Sequence, residues 1–213
     1  MSFPIIFKDR SEAGKKLAEV LTEFKNSSAI VLALPRGGVM TGKEIAEALS
    51  LPLDIIVTRK IGAPGNDEYA IGAIDLDGNG VWNEMEHAYV DKKWLEAKIA
   101  SEKIEAKRRW DTYRKGRGEL DLKNKVVIIV DDGIATGLTM QAAVAYAKHK
   151  GAERIIVAVP VASAESVRTL KNSADVRTIE TPTFFSAVGE WYEDFPQVSD
   201  KEVVSALAPK SPL

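Results

Sequence analysis

The chain contains no cysteine, which excludes disulfide bonds and thiolate-ligated metal sites. Its two histidines, His87 and His149, lack the spacing of a metal-ligand pair. Neither sign of charge dominates, since 29 basic and 31 acidic side chains leave a net charge of −2. This balance argues against a protein that coats nucleic acid or an anionic membrane. Any anion-binding site must therefore be local.

Long apolar runs are also missing. No segment approaches the roughly 20 residues that span a bilayer, and the apolar stretch at the start is too short for a secretory signal. We therefore expect a cytoplasmic protein that does not bind membranes. The 213 residues, 45% of them hydrophobic, suffice for one substantial core, and we expect residues 1–213 to form a single domain.

Short apolar runs rich in β-branched residues alternate with helical patterns. The runs are continuous rather than alternating, which predicts strands buried on both faces of a sheet. This arrangement predicts an α/β fold, doubly wound around a mostly parallel central sheet. The runs lie at 29–34, 53–57, 125–130, 154–161 and 175–181, and the helical patterns at about 10–25, 39–50, 138–150 and 163–172.

Two segments interrupt this alternation. Residues 59–84 are rich in glycine and polar residues, which predicts a mobile loop and then a β excursion with a hairpin turn at 77–80. Residues 91–115 predict a long charged helix, on which pairs such as Glu105 and Arg109 stabilise a solvated face. The apolar stripe of this helix consists of Leu95, Ile99, Ala106, Trp110 and Tyr113.

Two glycine-containing loops are predicted to share one crevice. The loop at 35–38 leaves the first strand, and the loop at 131–139 leaves the strand after the long helix. If 71–76 counts as the third strand, a sheet of order 3-2-1-4-5 places these two loops at its switch point. Ligands bind there, at the carboxyl ends of the strands.

The first loop begins a stretch with the spacing of a nucleotide-binding P-loop, from Gly37 to Lys43. The P-loop signature continues with Ser or Thr, whose hydroxyl ligates Mg²⁺, but the next residue here is Glu44. A carboxylate at that place would repel phosphate oxygens. ATP binding is therefore an alternative that requires Lys43 to contact phosphate.

The second loop carries more chemistry. A predicted strand ends in Asp131 and Asp132, and a helix begins near Gly137. Free N–H groups at that helix start, with the hydroxyls of Thr136 and Thr139, suit a monophosphate. The two carboxylates would meet ribose hydroxyls or hydrated Mg²⁺. Taken alone, however, the Asp-Asp-Gly stretch could simply cap the helix.

The stretch VIIVDDGIATGLT resembles the signature with which type I phosphoribosyltransferases bind phosphoribosyl pyrophosphate (PRPP). The chain is similar to a group of predicted phosphoribosyltransferases that share PRGG, RKIGAPGN and DDGIATG. The resemblance implies the type I fold with a small hood, here with an inserted long helix. It also implies transfer of the 5-phosphoribosyl group of PRPP to a nitrogen acceptor, with a nucleobase expected, release of pyrophosphate and assistance from Mg²⁺.

The resemblance also implies site residues. Asp131 and Asp132 would be catalytic, holding the ribose hydroxyls and Mg²⁺, while Arg36 and Gly37 would contact pyrophosphate. The residues expected to wrap the 5′-phosphate are Ala135, Thr136, Gly137, Leu138 and Thr139.

Further residues of the resemblance lie in the segment after the second strand. Arg59 and Lys60 match basic residues near pyrophosphate, although two solvated charges would look the same. The stretch from Ile61 to Ala70 resembles the flexible lid of the family. Within it, Glu68 and Tyr69 resemble the Glu-Tyr pair of the adenine enzymes, which would make Glu68 the proton donor or acceptor.

Ala135 limits the range of expected acceptor bases. It stands where the 6-oxopurine enzymes carry an Asp that handles the base proton. This departure speaks against guanine or hypoxanthine and leaves adenine-type purine salvage as the expectation. Residues 181–213, with their aromatic side chains, and the N-terminal segment are expected to form the hood. Read without the resemblance, such aromatic clusters indicate packing.

A second hypothesis is a regulatory module that binds PRPP without turnover. Relatives of that kind often carry a DNA-binding domain or a basic RNA surface. The few residues before the first strand and the acidic balance of the chain favour neither, so no nucleic-acid partner is expected. Dimers are common in the family, which makes a homodimer the assembly to test.

Overall fold

The computed structural model describes residues 6–118 and 120–208, apart from the side chain of Glu68. The strands are β1 (Ile30–Ala33), β2 (Leu53–Ile55), β3 (Thr58–Ala63), β4 (Asn66–Asp75), β5 (Gly80–Trp82), β6 (Val126–Val130), β7 (Arg154–Val161) and β8 (Asp175–Glu180). The α-helices are α1 (Arg10–Glu19), α2 (Gly37–Leu49), α3 (Glu84–His87), α4 (Lys92–Tyr113), α5 (Leu138–His149), α6 (Ala164–Leu170) and α7 (Asp200–Leu207).

Five strands form a parallel sheet in the order β2-β1-β6-β7-β8. Nearly every residue of β6 and β7 is buried, because helices cover both faces of the sheet. On one face, α1 and α2 pack through Leu17 and Ile45. On the other face, α5 and α6 pack through Val144 and Leu170. These layers confirm the predicted α/β fold, doubly wound around a parallel sheet.

The expected third strand lies outside this sheet. β4 pairs antiparallel with β3 and with β5 in a separate three-stranded sheet. The predicted order 3-2-1-4-5 was therefore wrong, because the strand counted as third does not belong to the parallel sheet. When only the five parallel strands are numbered along the chain, their order is 2-1-3-4-5. The chain reverses at 64–65 and again at 76–79, one residue before the predicted turn, and Gly65 and Gly78 adopt positive φ there. Tight turns of this kind join neighbouring strands in antiparallel pairs.

The long helix is present as α4 and packs with the predicted stripe. Its Leu95 contacts Ile61 and Ile71 of the antiparallel sheet, whereas Ala106 contacts residues from β1, α2 and α7. The predicted surface pair is also confirmed, because Arg109 Nε lies 2.8 Å from Glu105 Oε1. No helix within the described ranges is long and apolar enough to cross a lipid bilayer.

The N-terminal segment pairs with the segment after β8. Phe7 forms a parallel bridge with Tyr192, and their ring centroids are 5.5 Å apart. Tyr192 also stacks on Phe195 at 4.8 Å, and Phe185 on Trp191 at 6.4 Å. Of the expected hood at 181–213, the structure describes the part up to residue 208, in which α7 packs against α2 and α4 rather than with these aromatics.

Candidate functional site

The loops after β1 and β6 meet at the centre of the carboxyl edge of the parallel sheet. The backbone N–H of Leu34 donates to the carbonyl of Val130 at 2.9 Å, so the two strands leave the sheet side by side. The chain then enters α2 on one face and α5 on the other, which makes this position the switch point of the sheet. The two loops therefore meet at the same edge of the sheet, as predicted.

Two glycines bring the loop after β1 against the carboxylates that follow β6. A Cβ atom on Gly37 would lie 1.8 Å from Oδ2 of Asp132. A Cβ atom on Gly38 would lie 2.8 Å from Cα of Asp131. Only glycine leaves room for such an approach, and as a result both acidic residues lie directly beside the start of α2.

Arg36 stands beside these glycines but turns its side chain towards α7. The peptide bond between Pro35 and Arg36 is cis. The Arg36 guanidinium pairs with Asp200 at the start of α7, with Nη1 3.6 Å from Oδ1. Asp200 also accepts a hydrogen bond from the Tyr113 hydroxyl at 2.6 Å. In this structure the backbone of the loop, rather than the guanidinium, borders the two carboxylates.

The P-loop spacing noted in the sequence lies inside α2, because that helix begins at Gly37. A helical segment does not wrap around a phosphate chain as a glycine-rich loop does. Glu44 accepts a hydrogen bond from Ser11 of α1 at 2.8 Å, and Lys43 lines a groove beside Leu53. The segment is therefore not a P-loop.

Asp131 and Asp132 have different electrostatic surroundings. Asp132 Oδ2 lies 2.7 Å from the guanidinium Nε of Arg10, whereas Asp131 Oδ1 accepts the backbone N–H of Asp132 at 2.8 Å. Burial raises the pKa of the Asp131 carboxyl well above its ordinary value, and the negative charge of Asp132 raises it further. A cation or several hydrogen-bond donors would therefore stabilise an ionised Asp131.

Arg10 was not identified as a site residue from the sequence, although its position on the predicted helix gives an indication. It lies in phase with Ala13, Gly14 and Leu17 on the buried face of α1. A charge on such a face is costly unless it is paired. An arginine in this position therefore indicates a buried acidic partner, which the structure identifies as Asp132.

The loop from Ala135 to Thr139 leads into the start of α5. Gly137 caps this helix with a φ of 78°, in the left-handed region that favours glycine. The hydroxyls of Ser163 and Ser166 both donate to the Ala135 carbonyl, at 2.7 and 2.5 Å, and so brace the loop from behind. N–H groups in the first turn of a helix have no intrahelical partner, and no side chain caps α5. They are therefore available to an anion.

Arg59 and Lys60 lie on opposite faces of β3, because successive side chains of a strand alternate. Lys60 lines a cavity of about 190 Å³ together with Thr136 and the rest of the loop 133–139. Arg59 instead forms an ion pair with Glu102 of α4, with Nη2 2.7 Å from Oε2. The structure thus brings Lys60, but not Arg59, to the loop after β6.

A model of the phosphoribosyl transferase domain matches residues 8–195 of the chain. The chain belongs to the phosphoribosyl transferase family. A predicted phosphoribosyl transferase of Mycobacterium tuberculosis is 40% identical over 205 residues, which make up 95% of this chain and 46% of that protein. The chain therefore spans about half the length of the curated relatives that it matches.

Solved structures share the fold of this chain. The crystal structure of TT1426 from Thermus thermophilus matches with a TM-score of 0.81 and 41% identity, over 95% of this chain and 98% of that one. A hypothetical protein from Neisseria gonorrhoeae, crystallised with bound ppGpp, matches with a TM-score of 0.50 and 16% identity over 85% of each chain. At that identity the likeness shows the shared fold alone.

The chain has a second cleft beside the loop after β6. It has a volume of about 490 Å³ and shares Ala135, Thr136 and Leu138 with the cavity at Lys60. Its lining combines aromatic and polar side chains, which suits a flat ligand with hydrogen-bonding edges. Aromatic rings are contributed by Tyr69, Trp82 and Phe185, and polar side chains by Asn83, Gln141 and Glu165.

The side chain of Glu68 lies outside the described part of the chain, so its proposed role in proton transfer stays a prediction. Its backbone belongs to β4, and the whole segment expected to be a lid, residues 61–70, lies in the β3–β4 hairpin. The neighbouring Tyr69 hydroxyl donates to Glu86 Oε1 at 2.8 Å, and this bond raises the pKa of Tyr69. Tyr69 is thereby tied to α3.

The carboxylates fit a metal ion that is shared with a ligand. Within the described ranges, no three or more acidic or histidine side chains gather into a metal site. Magnesium commonly binds through one or two carboxylates plus the oxygens of a phosphorylated substrate. Asp131 and Asp132 supply such a pair, and the raised pKa of Asp131 means that a positive charge there would be favourable.

Proposed function

We propose that the chain transfers the 5-phosphoribosyl group of PRPP to a nitrogen acceptor, with a nucleobase as the expected acceptor. The observation that carries this proposal is the position of Asp131 and Asp132. They lie between an anion-binding helix start at Gly137 and the glycine backbone of Gly37 and Gly38. A ligand with two phosphate-bearing ends and hydroxyls between them matches that order of groups.

In the proposed reaction, the acceptor nitrogen forms a bond to C1 of the ribose while the bond from C1 to the pyrophosphate oxygen breaks. The bonding electron pair leaves with pyrophosphate, and the acceptor nitrogen loses its proton to a base or to solvent. Positive charge develops on the ribose ring and negative charge on the leaving group. Groups that stabilise the leaving group therefore lower the barrier.

The 5′-phosphate would bind at the start of α5. The N–H groups of Gly137, Leu138 and Thr139, supplemented by the hydroxyls of Thr136 and Thr139, face a monoanion or dianion with the positive end of the helix dipole behind them. Ser163 and Ser166 keep the loop in that shape by holding the Ala135 carbonyl. This part of the site orients the substrate and takes no part in bond breaking.

The ribose and pyrophosphate would bind on the other side of the carboxylates. Asp131 and Asp132 would accept hydrogen bonds from the ribose hydroxyls and hold Mg²⁺, which supplies positive charge to the pyrophosphate oxygens. Lys60 and the backbone of Gly37 are the groups of this chain that would contact pyrophosphate, with Arg36 after it exchanges Asp200 for the ligand. We assign Arg59 a structural role instead, because Glu102 already pairs with it.

The acceptor would occupy the cleft of about 490 Å³. The lining residues Phe185 and Trp82 would stack against a planar base, and the polar lining residues would form hydrogen bonds with the edge of that base. Purine salvage is the process that such an acceptor indicates, with Glu68 as the proposed proton donor or acceptor.

The proposal is tested by incubating the chain with PRPP and Mg²⁺, adding purine and pyrimidine bases one at a time, and following pyrophosphate by phosphorus NMR. Release that depends on one base supports the transfer and identifies the acceptor. Binding of PRPP without release would instead support a regulatory module. Failure to bind PRPP would refute both functions.

A matched pair of variants tests whether pyrophosphate release depends on the proposed site. Asp132→Asn should lower base-dependent release at least about a hundredfold, since it removes a carboxylate that we place on the substrate. Asp111→Asn makes the same chemical change on the exposed face of α4, where Asp111 pairs only with Lys107 among the described contacts. Equal turnover in the two variants would remove Asp132 from the mechanism.

A further inference from the structure

Arg10 is a buried charge at the beginning of α1, and its guanidinium is held from three directions. Nε donates to Asp132 Oδ2 at 2.7 Å, and Nη1 donates to the Pro196 carbonyl at 2.8 Å. The plane of the guanidinium lies over the Phe195 ring, 3.7 Å from its centroid. The residue is only 9% exposed. A buried arginine with this many partners keeps one position.

This position makes the two neighbouring acids unequal. Asp132 has its charge compensated by Arg10, and its Oδ2 is committed to that pair. Asp131 accepts a backbone N–H from Asp132, but the described residues place no cation within ion-pair distance of its carboxylate. A cation approaching the pair therefore meets one carboxylate that Arg10 already balances and one carboxyl group that no side-chain cation within the described residues balances.

We infer that Arg10 is a positioning residue that divides the work of the acidic pair. It fixes Asp132 as an oriented hydrogen-bond acceptor for a substrate hydroxyl, and it leaves Asp131 as the carboxylate that holds the divalent cation. This inference rests on the proposed function, because it concerns how the same site divides its ligands. It adds a residue from α1 that no sequence motif of the site contains.

The physical basis is the size of the Coulomb interaction. A divalent cation gains most from a carboxylate whose charge is not already balanced, and an arginine about 3 Å away balances most of it. A hydroxyl donor depends less on net charge and more on the direction of the acceptor oxygen. Asp132 retains one carboxylate oxygen that points in a fixed direction, which suits a hydroxyl donor.

The backbone of Asp132 is fixed as well. The Tyr192 hydroxyl donates to the Asp132 carbonyl at 2.5 Å. Tyr192 and Phe195 stack on each other at 4.8 Å, so the contacts from Arg10 and from Tyr192 come from one packed unit. The segment after β8 thereby holds the acid in place.

The first test uses Mn²⁺ alone as the probe, on the full chain without PRPP, and measures free Mn²⁺ by electron paramagnetic resonance. Arg10→Gln exposes the charge of Asp132 and should tighten Mn²⁺ binding about tenfold, which corresponds to about 1.4 kcal/mol. The double variant R10Q/D132N replaces the ion pair by two amides and should bind Mn²⁺ like the wild type. Asp131→Asn should abolish binding.

The second arm measures PRPP affinity in the presence of Mg²⁺. Arg10→Gln should weaken PRPP binding about tenfold, because Asp132 loses its orientation. A purely structural defect would weaken both ligands, so opposite changes for Mn²⁺ and PRPP are the diagnostic result. Arg154→Gln is the matched control: Arg154 pairs with Asp175 at 2.9 Å, is half exposed and lies at the other end of the sheet. It should change neither affinity.

Unchanged or weaker Mn²⁺ binding in Arg10→Gln would overturn the inference. If that variant does not fold, the double variant decides, because a buried ion pair replaced by neutral groups is often tolerated. The inference would then be overturned if R10Q/D132N bound Mn²⁺ as weakly as Asp131→Asn. It would be supported if R10Q/D132N bound Mn²⁺ with the affinity of the wild type. The Mn²⁺ arm needs no turnover, so failure of the transferase reaction would refute the proposed function without affecting this result.

Discussion

At the scale of single residues, the site depends on how closely a backbone approaches two carboxylates. Gly37 faces Asp132, and Asp132 has little freedom to withdraw because Arg10 and Tyr192 hold it. Tolerance to a larger side chain is therefore low at this glycine, the first residue of α2.

We predict that Gly37→Ala weakens PRPP binding at least about tenfold and lowers the free energy of unfolding by about 1–3 kcal/mol. The added Cβ would lie 1.8 Å from Asp132 Oδ2, so either the carboxylate or the helix start must move. Calorimetric titration with PRPP and urea unfolding measure the two effects. Gly118→Ala is the control, because a Cβ there meets no atom within 4 Å. Wild-type affinity in Gly37→Ala would contradict this account of the loop.

The site could be predicted from the sequence only where its residues stand in one short motif. The loop from Asp131 to Thr139 is contiguous, so it could be recognised as a candidate site by its resemblance to a family signature. Arg10 acts on the same carboxylate from 122 positions away, and no local pattern connects the two. The sequence also could not show that Arg59 points away from the site. Arg59 and Lys60 are adjacent in the sequence, and only the strand and its neighbours show that their side chains point to opposite faces.

At the scale of elements, β3 divides its charged residues between two neighbours. Lys60 faces the loop after β6, whereas Arg59 faces α4, where Lys98 also pairs with Glu102 at 3.4 Å. Lys98 in turn lies 3.0 Å from Asp67 at the tip of the hairpin. The inserted helix therefore holds the hairpin that carries Lys60.

We predict that Lys60→Met and Arg59→Met have different effects. Lys60→Met should weaken pyrophosphate binding about tenfold, since one charge leaves the proposed anion site. Arg59→Met should leave pyrophosphate binding near the wild-type value and lower the free energy of unfolding by about 1–2 kcal/mol, because Glu102 loses a half-buried partner. Each variant serves as the control for the other. Equal loss of pyrophosphate affinity would show that both charges reach the site.

The α4 helix should show a pH dependence through Glu105. The Arg108 guanidinium, with a further contribution from Arg109, lowers the pKa of Glu105 from 4.5 to about 2. A carboxyl whose pKa is lower in the folded state stabilises the fold above its unfolded pKa, and loses this effect as the pH falls through the folded pKa. The stabilisation should therefore be complete above about pH 4.5 and fade towards pH 2.

We accordingly expect Glu105→Gln to destabilise the chain by about 1 kcal/mol at pH 7, a modest value because the pair is partly exposed. The difference from wild type should shrink when urea unfolding is repeated at pH values below 4.5. Glu96→Gln, on an exposed position of the same helix, should show no such trend. A difference that stays constant down to about pH 3 would contradict the assignment.

The strands that were predicted correctly from the sequence are those whose burial requires a continuous apolar run. β1, β6 and β7 are buried on both faces, so their apolar runs were recognisable. β3 was interpreted as a loop because it contains Thr, Arg, Lys and two small residues, and it is a strand through its pairing with β4. Such tertiary pairing is not encoded in local propensity.

At the scale of the whole molecule, shared elements join the separate cores. In β1, Val31, Leu32 and Ala33 each belong to a different cluster of buried residues. The α4 helix links the antiparallel sheet to the cluster at α7, and Val161 of β7 links the parallel sheet to the aromatic cluster around Phe7. These links support our proposal of a single domain.

We predict that the chain unfolds in one cooperative transition. Two single-tryptophan variants test this, with the remaining tryptophans replaced by Phe: one keeps Trp94 at the antiparallel sheet, and the other keeps Trp191 in the aromatic cluster. Their fluorescence and the far-UV circular dichroism should give the same urea midpoint, as expected for a two-state transition. An earlier midpoint at Trp191 would mean that the segment after β8 is a separate unit.

The contacts of Arg10 also set the order in which the site can be completed during synthesis. Asp132 emerges from the ribosome 122 residues after Arg10, and Pro196 emerges 186 residues after it. At about 5–20 residues per second, the arginine waits roughly ten seconds or more for its last partner. A nascent chain that already displays the Asp-Asp loop therefore still lacks the contacts that Tyr192, Phe195 and Pro196 make with Asp132 and Arg10. The acidic pair matures only when nearly all of the described chain has been translated.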